Sequence, residues 1–175
     1  SLIPQLSNKP ISPQITRWTL DNQLCKEVLS SFFSLSQELT EPGILWGQQT
    51  FLSKGWTLFL ANSMPIRDGN QFLPSTTPSG ALFGNRGVSG IDGNIATASG
   101  LAQGGQTPTV ALLGDLSFLH DLNSLAFISK LDQPLILFVI NNQGGGIFSF
   151  LPIAQRTEHF ESFFAAAHPW SLSAA

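Results

Sequence analysis

Two apolar runs, Thr109–Gly114 and Pro134–Ile140, each stop abruptly at polar residues: Asp115 after the first, Asn141 and Asn142 after the second. Neither run alternates with polar side chains, which is the pattern of strands buried on both faces of a parallel sheet. Between them Phe118, Leu122, Leu125, Ala126 and Ile128 recur at helical spacing. The segment therefore predicts strand, one apolar helix, strand. In such units ligands gather at the carboxyl ends of the strands. Asp115 and Asn142 both fall there, side by side if the strands are neighbours.

A carboxylate, an amide oxygen and a glycine carbonyl such as that of Gly144 form a hard-oxygen set. Mg²⁺ takes such ligands octahedrally and keeps water or phosphate oxygens in its remaining positions. The helix predicted after Ser117 points its amino end at the same place, where free N–H groups and the helix dipole favour an anion. The chemistry implied is Mg²⁺ bridging Asp115, Asn142 and Gly144 to a diphosphate. For Asp115 alone the simpler reading is a helix cap, with Asn141-Asn142 and the glycines forming an ordinary turn. The two halves, each at a strand end, favour the metal.

The rest of the chain extends this α/β pattern. Residues 1–18, with Pro4, Pro10 and Pro13, read as a linker or the fringe of a preceding domain. Leu20–Leu39 predicts a helix with Leu24, Val28, Phe32 and Leu35 on one side, and Cys25 as a packing residue beside them. Thr40 would cap a helix running from Glu41 to about Leu52. Trp56–Ala61 predicts a buried strand leading into Asn62, Ser63 and Arg67. Ala81–Phe83 predicts a short strand leading into Asn85, Arg86 and Gly87. From Ile91 to Gln103 a helix rich in small residues would approach the sheet closely. The chain, opening at Ser1 without a methionine, reads as a piece of something longer.

Bulk properties exclude several classes. The chain has 175 residues, 42% hydrophobic and 11% charged, enough for one domain with a sizeable core. A net charge of −3 without a basic run argues against nucleic acid or an anionic membrane as partner. A single cysteine excludes an internal disulfide framework and suits a reducing compartment. No apolar stretch reaches the roughly 20 residues of a membrane span.

Taken in order, Asn62-Ser-Met-Pro-Ile-Arg-Asp68, Gly84-Asn-Arg-Gly-Val-Ser-Gly-Ile-Asp-Gly93, Gly114-Asp-Leu-Ser117 and Asn141-Asn-Gln-Gly-Gly-Gly-Ile-Phe-Ser149 carry a resemblance. The Gly-Asp and Asn-Asn elements resemble the thiamine-diphosphate motif of the decarboxylase and synthase superfamily, which usually has glycine where this chain has Leu116. The full set, over about residues 40–165, resembles the carboxyl-terminal part of the SEPHCHC synthase (MenD) family of menaquinone and phylloquinone biosynthesis.

The resemblance implies a parallel-sheet thiamine-diphosphate-binding fold, incomplete at its carboxyl end. It assigns residues 1–39 to a linker and the end of a central domain, and 40–175 to the diphosphate domain. The implied reaction decarboxylates 2-oxoglutarate and adds the succinyl unit to isochorismate. The implied cofactors are thiamine diphosphate and Mg²⁺, with Mn²⁺ as substitute. Cofactor-site residues would be Ser89, Gly90, Ile91, Gly114, Asp115, Leu116, Ser117 and Asn142, with Ile91 propping the cofactor into its bent shape. Ser63, Arg67 and Arg86 would hold substrate, the arginines gripping carboxylates, with Ile147, Phe148 and Leu151 facing it. The activating glutamate would come from the amino-terminal domain of a partner subunit, so the family implies at least a dimer and an inactive fragment. The compartment implied is cytoplasm or plastid stroma.

Read without the family, the same residues leave other roles open. Arg67 and Arg86 suit either bidentate carboxylate binding or salt bridges with Asp68 or Asp92. Ile91, Ile147, Phe148 and Leu151 suit a core, and Ser117 a helix cap. His120, His159 and His168 show no metal spacing and read as structural or surface groups. Asp92 and Asp121 read as helix-start charges. Two other functions remain: a thiamine-dependent decarboxylase or acetolactate-type synthase, which gives the arginines no role, and a non-catalytic phosphate-binding α/β module.

Overall fold

The computed structural model describes residues 13–36, 38–52, 54–74 and 80–174. Contacts divide the chain into two compact units, 1–39 and 40–175. The first contains α1 (Pro13–Leu35), which has no buried residue. It starts earlier than its apolar pattern suggests because Pro13 fits a first helical turn, where a missing N–H costs nothing. Cys25 is exposed rather than packed, and Trp18, Leu24, Val28, Phe32 and Leu35 are at least half exposed. Residues 1–12 of the predicted linker lie outside the described part.

The second unit is a four-stranded sheet, parallel throughout, in the order β2-β1-β3-β4. Its elements are α2 (Glu41–Phe51), β1 (Thr57–Leu60), α3 (Met64–Phe72), β2 (Ala81–Phe83), α4 (Asn94–Gly105) and β3 (Thr109–Gly114). Then come α5 (Asp115–His120), a 3₁₀ turn (Leu122–Ser124), α6 (Leu125–Ile128) and β4 (Leu135–Ile140). Further 3₁₀ turns (Gly146–Phe150, Pro152–Gln155), α7 (Thr157–Phe163) and a last turn (Leu172–Ala174) follow. No described helix is long and apolar enough to cross a membrane.

Strand alternation distributes side chains to two cores. Leu58, Leu60, Val110 and Leu112 pack with Leu45 of α2 and with Ile66 and Phe72 of α3. Phe59, Ala111 and Leu113 face the other way, against Ile95 and Ala98 of α4 and Phe118 of α5. Ala98 and Ala102 are fully buried, so the small residues of α4 do bring that helix close to the sheet.

Two expectations need correction. The predicted single helix after β3 is broken at Asp121, whose backbone leaves the helical region. Its carboxylate is used instead to cap α4: Oδ2 accepts from the N–H groups of Ile95 (2.6 Å) and Ala96 (3.0 Å), and Oδ1 from the Ser124 hydroxyl (2.6 Å). This is why α4 begins at Asn94 rather than Ile91. β4, moreover, is buried on one face only, with Ile136 and Phe138 about 40% exposed. It is an edge strand, and an apolar run does not reveal what covers it.

Candidate cofactor and metal site

β3 and β4 are neighbours, with Gly114 opposite Ile140, so their ends deliver Asp115 and Asn142 to one edge. The Gly144 N–H joins them: it donates to Asp115 Oδ2 at 2.9 Å and to Asn142 Oδ1 at 3.3 Å. The acid and the amide oxygen thus converge on one atom. Gly144 has φ +152°, and an added Cβ would collide with the Ala165 carbonyl, so the turn requires glycine.

Asp115 is 2% exposed. Its Oδ1 accepts the Leu116 N–H at 2.7 Å, and its only ion-pair partner among the described residues is His168. A buried carboxylate is costly unless charge or hydrogen bonds compensate it. With neutral backbone donors on both oxygens and an amide oxygen beside them, the donor set fits a hard divalent cation. α5 begins at Asp115 itself, not after Ser117, and is only six residues long; the starts of α2 at Glu41 and α3 at Met64 lie on the same cavity.

A cavity of about 140 Å³ is lined by Asn62, Ser63, Ile91, Gly114 to Ser117, Asn142, Gly144, Ile147 and Phe148. Ser63 has φ 76°, a left-handed conformation that strains a serine. Ser117 is the third residue of α5 rather than its cap. Its hydroxyl donates to the Ile91 carbonyl (2.7 Å) and accepts from Asn94 Nδ2 (2.8 Å), and that amide also bonds the Ile91 carbonyl (2.9 Å). Asn85 extends the network to Asn94 and Thr97. The loop carrying Ile91 is therefore pinned to the end of β3, with Ile91 on the cavity.

A larger cleft of about 860 Å³ shares Glu41, Met64, Asn142 and Gly146 to Phe148 with the first, and adds Arg67, Asp68, Phe72 and Leu151. Arg67 lies on α3, not in a loop, and donates to the Ser63 carbonyl at 2.6 Å. Arg86 lines a separate groove beside Arg67 and donates to Asn62 Oδ1 at 3.4 Å. Neither arginine forms a salt bridge to Asp68 or Asp92. Ser89 is exposed, and neither it nor Gly90 lines either cavity; the Gly90 carbonyl accepts from Asn62 Nδ2 (2.7 Å).

The sequence did not single out three groups now at the site. Glu41, expected only as the first residue of a helix capped by Thr40, accepts from Asn142 Nδ2 at 3.0 Å and lines both cavities. Asp68 is 3% exposed with Oδ2 unpartnered. Burial first, and the negative Glu41 second, push its carboxyl from 3.8 up to about 6. His168 reaches Asp115 from the carboxyl-terminal segment. Only the Thr40-Glu41-Pro42 helix start signalled where one of these would lie.

A parallel sheet with an acid, an amide and a glycine turn meeting at the carboxyl ends of neighbouring strands defines an α/β domain of the kind that takes its ligand at that edge. The chain belongs to the thiamine pyrophosphate enzyme family: residues 63–172 match its C-terminal TPP binding domain. It is 46% identical over 160 residues to a 2-succinyl-5-enolpyruvyl-6-hydroxy-3-cyclohexene-1-carboxylate synthase of Chlorobium phaeobacteroides, covering 89% of this chain and 27% of that protein. Proteins of the same name from Chloroflexus aurantiacus (44% identity, 86% of this chain, 26% of the relative) and Bacillus velezensis (40%, 90% and 27%) are also similar. The chain spans about a quarter of the length of these curated relatives.

Proposed function

We propose that this chain is the cofactor-binding part of a SEPHCHC synthase, acting on 2-oxoglutarate and isochorismate as at least a dimer. The observation that carries the reading is the convergence of Asp115 and Asn142 on the Gly144 N–H, within a family whose domain binds thiamine diphosphate. Asp115 Oδ1, Asn142 Oδ1 and the Gly144 carbonyl would hold Mg²⁺ or Mn²⁺. Thiamine diphosphate, when bound, supplies the electron sink for decarboxylation and carbon–carbon bond formation. The chain's own residues bind and orient. Ile91, its backbone carbonyl held by Ser117 and Asn94, forms part of the cavity wall. Gly114 and Leu116 line it beside Asp115, while Ser89 and Gly90 belong to the loop that enters it at Ile91.

Arg67 faces the larger cleft with Ile147, Phe148 and Leu151, a pairing of cation and apolar wall suited to a dicarboxylate such as 2-oxoglutarate. Arg86, adjacent to Arg67 in the neighbouring groove, would serve a second carboxylate. Glu41 turns the Asn142 amide so that its oxygen faces Gly144. With Glu41 so engaged, the activating glutamate is assigned to a partner's domain.

Calorimetry with thiamine diphosphate and Mg²⁺ tests the reading. The native chain should bind, and Asp115→Ala should abolish the metal-dependent heat. Binding unaffected by the substitution would point to a different kind of phosphate module. Turnover of pyruvate with indifference to isochorismate, measured on the assembled enzyme, would favour an acetolactate-type synthase instead.

A further inference from the structure

The two oxygens of Asp115 are used unequally. Oδ1 accepts one short-range bond, from the adjacent Leu116 N–H. Oδ2 takes the Gly144 N–H at 2.9 Å and lies 3.1 Å from His168 Nε2. Each carboxylate oxygen offers about two acceptor positions, so Oδ2 is filled and Oδ1 keeps one. His168 is 9% exposed. Its ring stacks on Trp170 at 5.5 Å and 16°, and its Nδ1 has no partner among the described residues. Among the described residues the side chain's one polar contact is therefore Asp115. The backbone beside it is tied to the same turn, with the Ala165 carbonyl accepting the Gly145 N–H at 2.6 Å.

We propose that His168 is a positioning residue for the metal site: its Nε2–H, donated to Oδ2, sets the rotation of the Asp115 carboxyl so that Oδ1 is presented to the cation. The inference rests on the metal reading above. An ionised carboxylate can only accept, so Nε2 carries the proton and is not itself a ligand in this arrangement. The effect is that of a group which orients a metal-binding side chain without touching the metal, whose loss costs about 10–100-fold in metal affinity.

The test titrates the whole chain with Mn²⁺ in the presence of thiamine diphosphate, reading free Mn²⁺ by electron paramagnetic resonance. His168→Phe keeps a ring against Trp170 but has no donor; His168→Gln returns an N–H near the Nε2 position. The phenylalanine variant should bind Mn²⁺ about tenfold more weakly or worse, and the glutamine variant should recover most of the loss. Circular-dichroism melts check folding. If the phenylalanine variant does not fold, His168→Asn, whose amide falls short of Oδ2, replaces it and should bind as weakly. Unchanged or tighter binding without the donor overturns the proposal, as does a glutamine variant no better than the donorless one. Failure of the wild-type chain to bind Mn²⁺ would instead overturn the metal reading, and this inference with it.

Discussion

Asp68→Asn should stabilise the folded chain at pH 7. Asp68 on α3 is 3% exposed, one of its carboxyl oxygens has no partner among the described residues, and Glu41 adds a like charge. Burial chiefly, then Glu41, raises its folded-state value from 3.8 to about 6. The folded protein therefore holds this proton more tightly than the unfolded chain. Between pH 4 and 6 the native state binds more protons, so stability falls as pH rises through that window. Above pH 6 the cost is fully present, about 3 kcal/mol at 1.36 kcal/mol per pH unit. Asparagine removes the charge but brings an amide that also lacks a partner, so about 3 kcal/mol is the ceiling of the gain. Urea denaturation measures it: at an m value of about 2 kcal/mol/M the midpoint rises by at most roughly 1.5 M at pH 7. The difference between variant and wild type should shrink as pH falls below 6 and vanish near 4. A variant less stable than wild type at pH 7, or a difference that does not change with pH, would refute the reasoning.

Two further substitutions probe the supports of the site. Asp121→Ala removes the cap of α4 and the acceptor for Ser124 and should cost about 3 kcal/mol, read as a lowered urea midpoint at pH 7. Gly144→Ala drives a Cβ into the Ala165 carbonyl at a left-handed φ. It should cost about 1–3 kcal/mol and weaken Mn²⁺ binding in the same titration.

The fold was largely legible because burial is written in composition. β1 and β3 are apolar after an opening threonine, and both are covered on two faces. β4 has the same composition, yet Ile136 and Phe138 are exposed, because its place at the sheet edge depends on strand order rather than on its own residues. The helical spacing after β3 was real, but the break at Asp121 was hidden, since the amides it caps lie 26 and 25 residues earlier in the chain. Of the candidate site, Asp115, Asn142, Gly144 and Ile91 line the smaller cavity and Arg67 the larger cleft. Arg86 faces an adjacent groove and Ser89 lines neither cavity.

By itself the sequence determined that apolar segments of strand length would end in an acid, an amide and glycines, because hydrophobic period and turn chemistry are local properties. Only the tertiary structure decided that Glu41 would steady the Asn142 amide across 101 residues and that His168 would close on Asp115 across 53. Those contacts exist because the chain returns to the same sheet edge. No local pattern encodes which distant side chain will be waiting there.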